Sequence, residues 1–231
     1  MPDFPAAMPH GPISEIFPDV FFVTGGFRFG PGLSITRNMT VVRQGGELVA
    51  LNSVRLGPEG EAALDALGKV KHVVRVGEFH GADDPYFVER YGATLWAPKG
   101  AKLQPGLTAR DITPDSSPLE GARVFGFGRA RGHEVAILLD RDGGALVTCD
   151  SYQNWTTFDG CSLLGKVMMH AMGFGPTLIG GPWAKRMGPE VRGDFEQLLD
   201  EPFRHLIPAH GTVLRDTAKD GLRTAMAKRF S

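Results

Sequence analysis

The chain has 231 residues, 42% of them hydrophobic, and a formal net charge of −1. That size and apolar content suit one large domain with a sizeable core, or at most two small ones. The charge balance leaves no electrostatic footprint for nucleic acid or an anionic membrane. Cys149 and Cys161 are too few for a disulfide framework and do not form a CxxC pair. The opening MPDFPAAMPHGP lacks the basic and apolar regions of a signal peptide, so the simplest expected compartment is cytoplasmic. The most apolar later stretch, 161–183, carries Lys166 and His170 and is broken repeatedly by Gly and Pro, which argues against a membrane span.

In chain order, residues 1–18 read as an N-terminal arm and 19–231 as a single domain. Segment 19–24 (DVFFVT) is apolar enough for a strand, and GGFRFGPG after it reads as a turn region, either a hairpin or a rim loop. Segments 38–43 and 47–52 flank Gln44-Gly45-Gly46, a hairpin signal. Segment 58–68 has Pro at its start, apolar residues at helical spacing and Gly at its end, the pattern of a short helix. The Val73–Val76 run follows, so strand, helix and strand form a crossover and the two strands are expected to be parallel. Segment 94–97 reads as a further strand and 98–120 as a surface loop. Strands are expected at 122–127, 134–139 and 145–148, the last two joined by a DRDGG turn. Helices are expected from Leu163 onward, at 190–200 and at 217–229, with a short strand at 206–208. Each half is strand-rich first and helical last, which implies two sheets packed face to face with helices outside.

Chemistry-bearing residues fall at strand ends. After the Val73 run the chain presents Glu78, His80, Asp83 and Asp84 within seven residues, then Pro85 and a helical pattern. A loop after a buried strand is where α/β folds place their chemistry. Asp84 before Pro85 also reads as a helix N-cap. His133 in RGHEVAILLD, Asp150 in GALVTCDS and His210 in HLIPAHGT have similar settings. His133 beside Arg131 also suits a surface position, Asp150 a cap for Ser151, and His210 a turn. His72, His170 and His205 read as structural, His10 as solvated in the arm, and Cys149 as a small buried residue beside Asp150.

In order and spacing these motifs resemble the metallo-β-lactamase fold family across roughly residues 19–229. The family motif HxHxDH follows a strand; a later Gly-His precedes a strand, an Asp ends the next, and a final His-Gly precedes the last helix. Gly132-His133, Asp150 and His210-Gly211 match the later parts. The first motif departs from the pattern. Placing His80 on the first His puts Asp84 on the Asp, but Ala82 and Pro85 then stand where His belongs. A shift by two puts Glu78 and His80 on the two His and Asp83 on the last, with Ala82 on the Asp. The first register is preferred because it keeps both His and Asp and starts the helix at Pro85.

The resemblance implies an α/β, four-layer αββα sandwich with metal ligands among His80, Asp83, Asp84, His133, Asp150 and His210. It assigns Asp84 and Asp150 to the catalytic machinery. It implies a zinc-dependent hydrolase of a small ester, thioester or amide that uses a metal-bound hydroxide, with one tight zinc site; iron or manganese is the alternative ion. Two further readings follow from the same resemblance: a mononuclear Fe(II) dioxygenase using His80, His133 and Asp150, and a metal-poor relative that binds without catalysing. The expected partner is a small-molecule substrate, with neither nucleic acid nor membrane. The aromatic, Gly-rich segment 151–187 is a candidate for walling the pocket, covering the core or pairing subunits in a homodimer.

Overall fold

Seven strands in sequential order build the first sheet: β1 (Ser14–Phe17), β2 (Val20–Gly30), β3 (Leu33–Gln44), β4 (Glu47–Leu51), β5 (Lys69–Val74), β6 (Thr94–Pro98) and β7 (Arg110–Ile112). The computed structural model describes residues 4–231. From β1 to β4 the pairing is antiparallel; from β4 to β7 it is parallel. Parallel neighbours need crossovers, and helices α1 (Pro58–Leu67) and α2 (Asp84–Tyr91) supply the first two. The second sheet holds β8 (Arg123–Gly126), β9 (Val135–Leu139), β10 (Ala145–Thr148) and β11 (His205–Pro208) in the order β11-β10-β9-β8. Strand β11 is parallel to β10. Between them the chain runs through α3 (Leu163–Ala171), α4 (Gly181–Met187), a 3-10 turn and α5 (Arg192–Leu198). Helix α6 (Ala218–Arg229) ends the fold.

Alternation along each strand assigns the layers, because successive side chains point to opposite faces. In β4, Val49 and Leu51 face the other sheet, while Leu48 and Ala50 face α1 and α2. In β9, Ile137 points inward, while Ala136 and Leu138 meet Trp183, Phe195 and Leu222 from the outer helices. The inter-sheet core and the two outer cores therefore make four layers, αββα. Strands buried on both faces read as near-continuous apolar runs, as VAILL and ALVT do.

Several boundaries differ from the sequence reading. The GGFRFGPG stretch is not a loop: β2 continues through it to Gly30 and pairs with β3 from Leu33, with Gly32 at positive φ in the turn. Within the expected arm, Ser14–Phe17 is an edge strand. His10 is not solvated; its Nε2 accepts the Gly57 N–H at 2.9 Å, and a Cβ on Gly60 would lie 2.5 Å from its ring. The segment 98–120 contains β7. Gly45 and Gly46 both adopt positive φ between Gln44 and Glu47, as a two-residue hairpin turn requires. Among the described residues no helix is long and apolar enough to cross a membrane.

Candidate metal centre

One end of the sandwich gathers the polar residues that close β5, β10 and β11. His80 lies on the loop after β5, Asp150 two residues past β10, and His210 two residues past β11. The two sheets are stitched here by backbone bonds: Val135 N–H donates to Val76 O at 2.9 Å, and Glu78 N–H to His133 O at 2.8 Å. Strand β3 crosses behind, where Asn38 Nδ2 donates to the carbonyls of Pro208 at 2.9 Å and Gly211 at 2.8 Å. Those bonds hold the turn that carries His210. Gly211 is required in it, because a Cβ there would stand 2.0 Å from Asn154 O.

His80 Nε2 and His210 Nε2 are 3.0 Å apart. Asp150 Oδ2 lies 3.5 Å from His80 Nε2, and Asp150 Oδ1 lies 3.4 Å from His210 Nε2. His210 Nδ1 contacts the Thr36 carbonyl at 3.0 Å. A carbonyl only accepts, so Nδ1 carries the proton and a neutral His210 presents a bare Nε2 to the cluster. Trp155 stacks on the His210 ring, with centroids 5.5 Å apart and planes 19° apart. Burial pushes the His80 pKa down to about 3, so this imidazole is neutral as well. Burial alone would raise the Asp150 pKa. The imidazoles of His80 and His210 and the thiol of Cys149 outweigh it and hold the carboxyl below its usual range.

Two lone-pair nitrogens and a carboxylate that face one point need something positive between them. A proton on His80 Nε2 would serve, and so would a divalent cation. Ligands about 2.0–2.2 Å from a tetrahedral ion stand about 3.3–3.6 Å from each other; the two Nε2 atoms are 3.0 Å apart, and each imidazole has its own Asp150 oxygen at 3.5 or 3.4 Å. The donor set of neutral imidazole and carboxylate is ordinary for Zn²⁺. These residues fit a single ion with open positions. Cys149 adds a fourth donor: Sγ, His80 and Asp150 all present ligand atoms within 4.8 Å of one another. Its thiol is fully buried, burial raises its pKa well above normal, and Sγ donates to Asp150 Oδ2 at 3.4 Å.

The other ligand candidates go elsewhere, and each departure has a cause. Asp84 is buried, but Arg75 Nε donates to its Oδ2 at 2.7 Å and Ser53 Oγ to its Oδ1 at 2.6 Å. It neither reaches the cluster nor caps α2, whose first turn has no side-chain cap. Asp83 pairs with the Arg37 guanidinium and accepts the Arg55 N–H at 2.6 Å. His133 points away from the cluster: its ring rests against Gly100, where a Cβ would lie 2.8 Å from Cε1, while the neighbouring Glu134 carboxylate bonds the backbone of 149–151. Glu78 bonds to the His133 N–H at 3.1 Å and pairs with Arg186 at 2.9 Å, and Ala82 is exposed.

Glu134 is the residue that motif matching passed over. It is buried, and its carboxylate accepts the N–H groups of Cys149, Asp150 and Ser151 at 3.3, 3.2 and 3.0 Å. Burial and the nearby Asp150 charge raise its pKa to about 8. The visible sequence signal was a lone acidic residue at the start of an otherwise apolar strand. Above the cluster opens a cleft of about 500 Å³. Its walls are the β2–β3 hairpin and α3, with Arg37, Phe79 and Trp155 also lining it.

No protein-family model and no curated protein sequence matches this chain. Solved structures do. VMB-1 superposes with a TM-score of 0.69 at 12% identity over 95% of this chain and 97% of its own. The metallo-β-lactamase FIM-1 from Pseudomonas aeruginosa, in its mono-zinc form, gives 0.63 at 15% identity over 97% of each chain. A metallo-β-lactamase from Erythrobacter litoralis gives 0.57 at 10% identity over 94% of this chain and 92% of its own. At such identities the likeness shows the fold: this chain has the metallo-β-lactamase fold, strongly diverged in sequence.

Proposed function

We propose that the chain is a hydrolase that holds one divalent metal ion between His80, Asp150 and His210. The observation that carries this reading is the convergence, at the end of both sheets, of two Nε2 atoms 3.0 Å apart on the two oxygens of the Asp150 carboxylate, Oδ2 3.5 Å from His80 and Oδ1 3.4 Å from His210. Support for one ion rather than two comes from Asp83 and Asp84, whose carboxylates are occupied by Arg37 and Arg75. When bound, a divalent ion lowers the pKa of a coordinated water toward 7 and polarises a carbonyl oxygen.

The chain's own residues do the rest. His210 is fixed in one tautomer by Thr36 O and in one plane by Trp155. Glu134 holds the backbone of 149–151 and so aims the Asp150 carboxylate. Asp150 stays ionised among the imidazoles and is the group available to accept a proton from water. Arg37, buried and paired with Asp83, places a guanidinium in the cleft wall. In the overall reaction water oxygen bonds to the acyl carbon and the bond to the leaving oxygen, sulfur or nitrogen breaks. The products are a carboxylic acid and the protonated leaving group.

Two imidazoles and one carboxylate are also the donor set of Fe(II) oxygen chemistry, so metal identity separates two enzyme classes. Apo protein titrated with zinc, followed by gel filtration and metal analysis, is expected to retain one equivalent. Two equivalents of similar affinity would overturn the single-ion reading. None retained would overturn the metal reading, and stoichiometric iron in protein purified without added metal would favour the oxygenase.

A further inference from the structure

We propose that the cleft above the metal centre takes an aliphatic acyl chain, so that the substrate class is a medium-chain acyl ester, thioester or amide. The inference rests on the hydrolase reading for the position of the reacting carbonyl, and on the cleft walls for the rest. One wall is the β2–β3 hairpin, where Phe27 and Phe29 meet edge-to-face at 5.0 Å beside Ile35. The facing wall is the inner side of α3, with Met168, Met169 and Met172. The polar lining is His80, Asp150 and His210, which converge, with Gln153 and with Arg28 and Arg37 from the hairpin strands. An acyl group laid in this cleft has its carbonyl at the polar end and its chain between the hairpin and the methionines.

Two observations favour a flexible chain over a rigid ring. First, three of the wall residues are methionines, Met168 and Met169 on α3 and Met172 at its C-cap. Methionine is unbranched and adapts its shape to an irregular occupant, which suits chains of varying length. Second, the apolar surface does not end at the cleft. Phe29, Phe79 and Met172 are each more than half exposed at its mouth. Large apolar side chains left in water at the rim of a pocket mark a surface that is covered in use. The hairpin and the start of α3 are tied together: Ser34 N–H donates to Ser162 Oγ at 3.0 Å, and Gly165 lets α3 approach Ser34 O.

Linear methyl ketones from butanone to decan-2-one probe this directly, since they carry a carbonyl and a chain but no bond to hydrolyse. Binding is measured by calorimetry on full-length protein, both zinc-loaded and chelator-stripped. Burying one methylene is worth about 0.8 kcal/mol, so affinity should rise about two- to four-fold per added methylene. In the double variant Phe29→Ser, Met172→Ser the slope should flatten. Both residues are rim positions, and circular dichroism verifies that the variant is folded. Equal affinity for butanone and decan-2-one, or an unchanged slope in the double variant, would overturn the acyl-chain proposal. A slope with no zinc retained supports the acyl-chain cleft and sinks the hydrolase reading. Retained zinc with no slope does the reverse.

Discussion

At the residue scale, the charged groups around β5 divide into two sets with different tasks. Arg75 and Asp84 are both almost wholly buried, 2% and 1% exposed at their side chains, and neutralise each other. Removing one charge from such a pair leaves the other uncompensated, at a cost of about 3–5 kcal/mol. Asp84→Asn should therefore lower the unfolding free energy by about that much, read by chemical denaturation, while zinc stoichiometry stays at the wild-type value. His210→Ala should behave oppositely, with retained zinc lost and little change in the stability of the apo protein. His133→Ala should leave zinc retention unaltered, because its ring faces Gly100. A loss of metal in His133→Ala comparable to that in His210→Ala would contradict the geometry described above.

At the element scale, the centre depends on how loops are held at strand ends. Glu134 sits at the entry to β9 and bonds three successive amides beyond β10. In Glu134→Gln the amide NH₂ would face at least one of those N–H groups, donor against donor. Outer partners of this kind typically control metal affinity by about 10–100-fold. Competition with a chromophoric chelator should show a zinc Kd weakened within that range, with near-wild-type far-UV circular dichroism. Helix α3 offers a second test. A Cβ at Gly165 would fall 2.2 Å from Ser34 O, so Gly165→Ala must push the helix off the hairpin. The strain should cost about 1–3 kcal/mol. Faster amide exchange confined to residues near 162–172 would be its signature; uniform exchange across both sheets would not fit.

For the whole molecule, binding and folding are linked. The three ligands come from two sheets and meet only in the native chain, so zinc at 100 times its Kd should add about 2.7 kcal/mol of stability. For a domain of this size that is a rise in Tm of about 5–10 °C, and it should vanish in His210→Ala. An equal rise in that variant would place the ion elsewhere. The layer architecture was legible in the chain because the pattern is local: VAILL and ALVT are apolar enough to be buried on both faces, and Pro58 and Gly68 bracket their helix. His80, Asp150 and His210 were legible as polar residues at the ends of such runs. What the sequence could not determine was phase and partnership. Whether His133 or Glu134 serves the cluster depends on the turn before β9, which seats the His133 ring against Gly100 and the Glu134 carboxylate on the amides of 149–151, and whether Asp83 and Asp84 meet a metal or an arginine depends on Arg37 and Arg75, which β3 and the end of β5 bring to them. Local pattern sets which segments are buried. The pairing of charges across 46 residues, as between Arg37 and Asp83, exists only once the sheet has assembled, because the Coulomb and desolvation terms that select it need both groups already out of water.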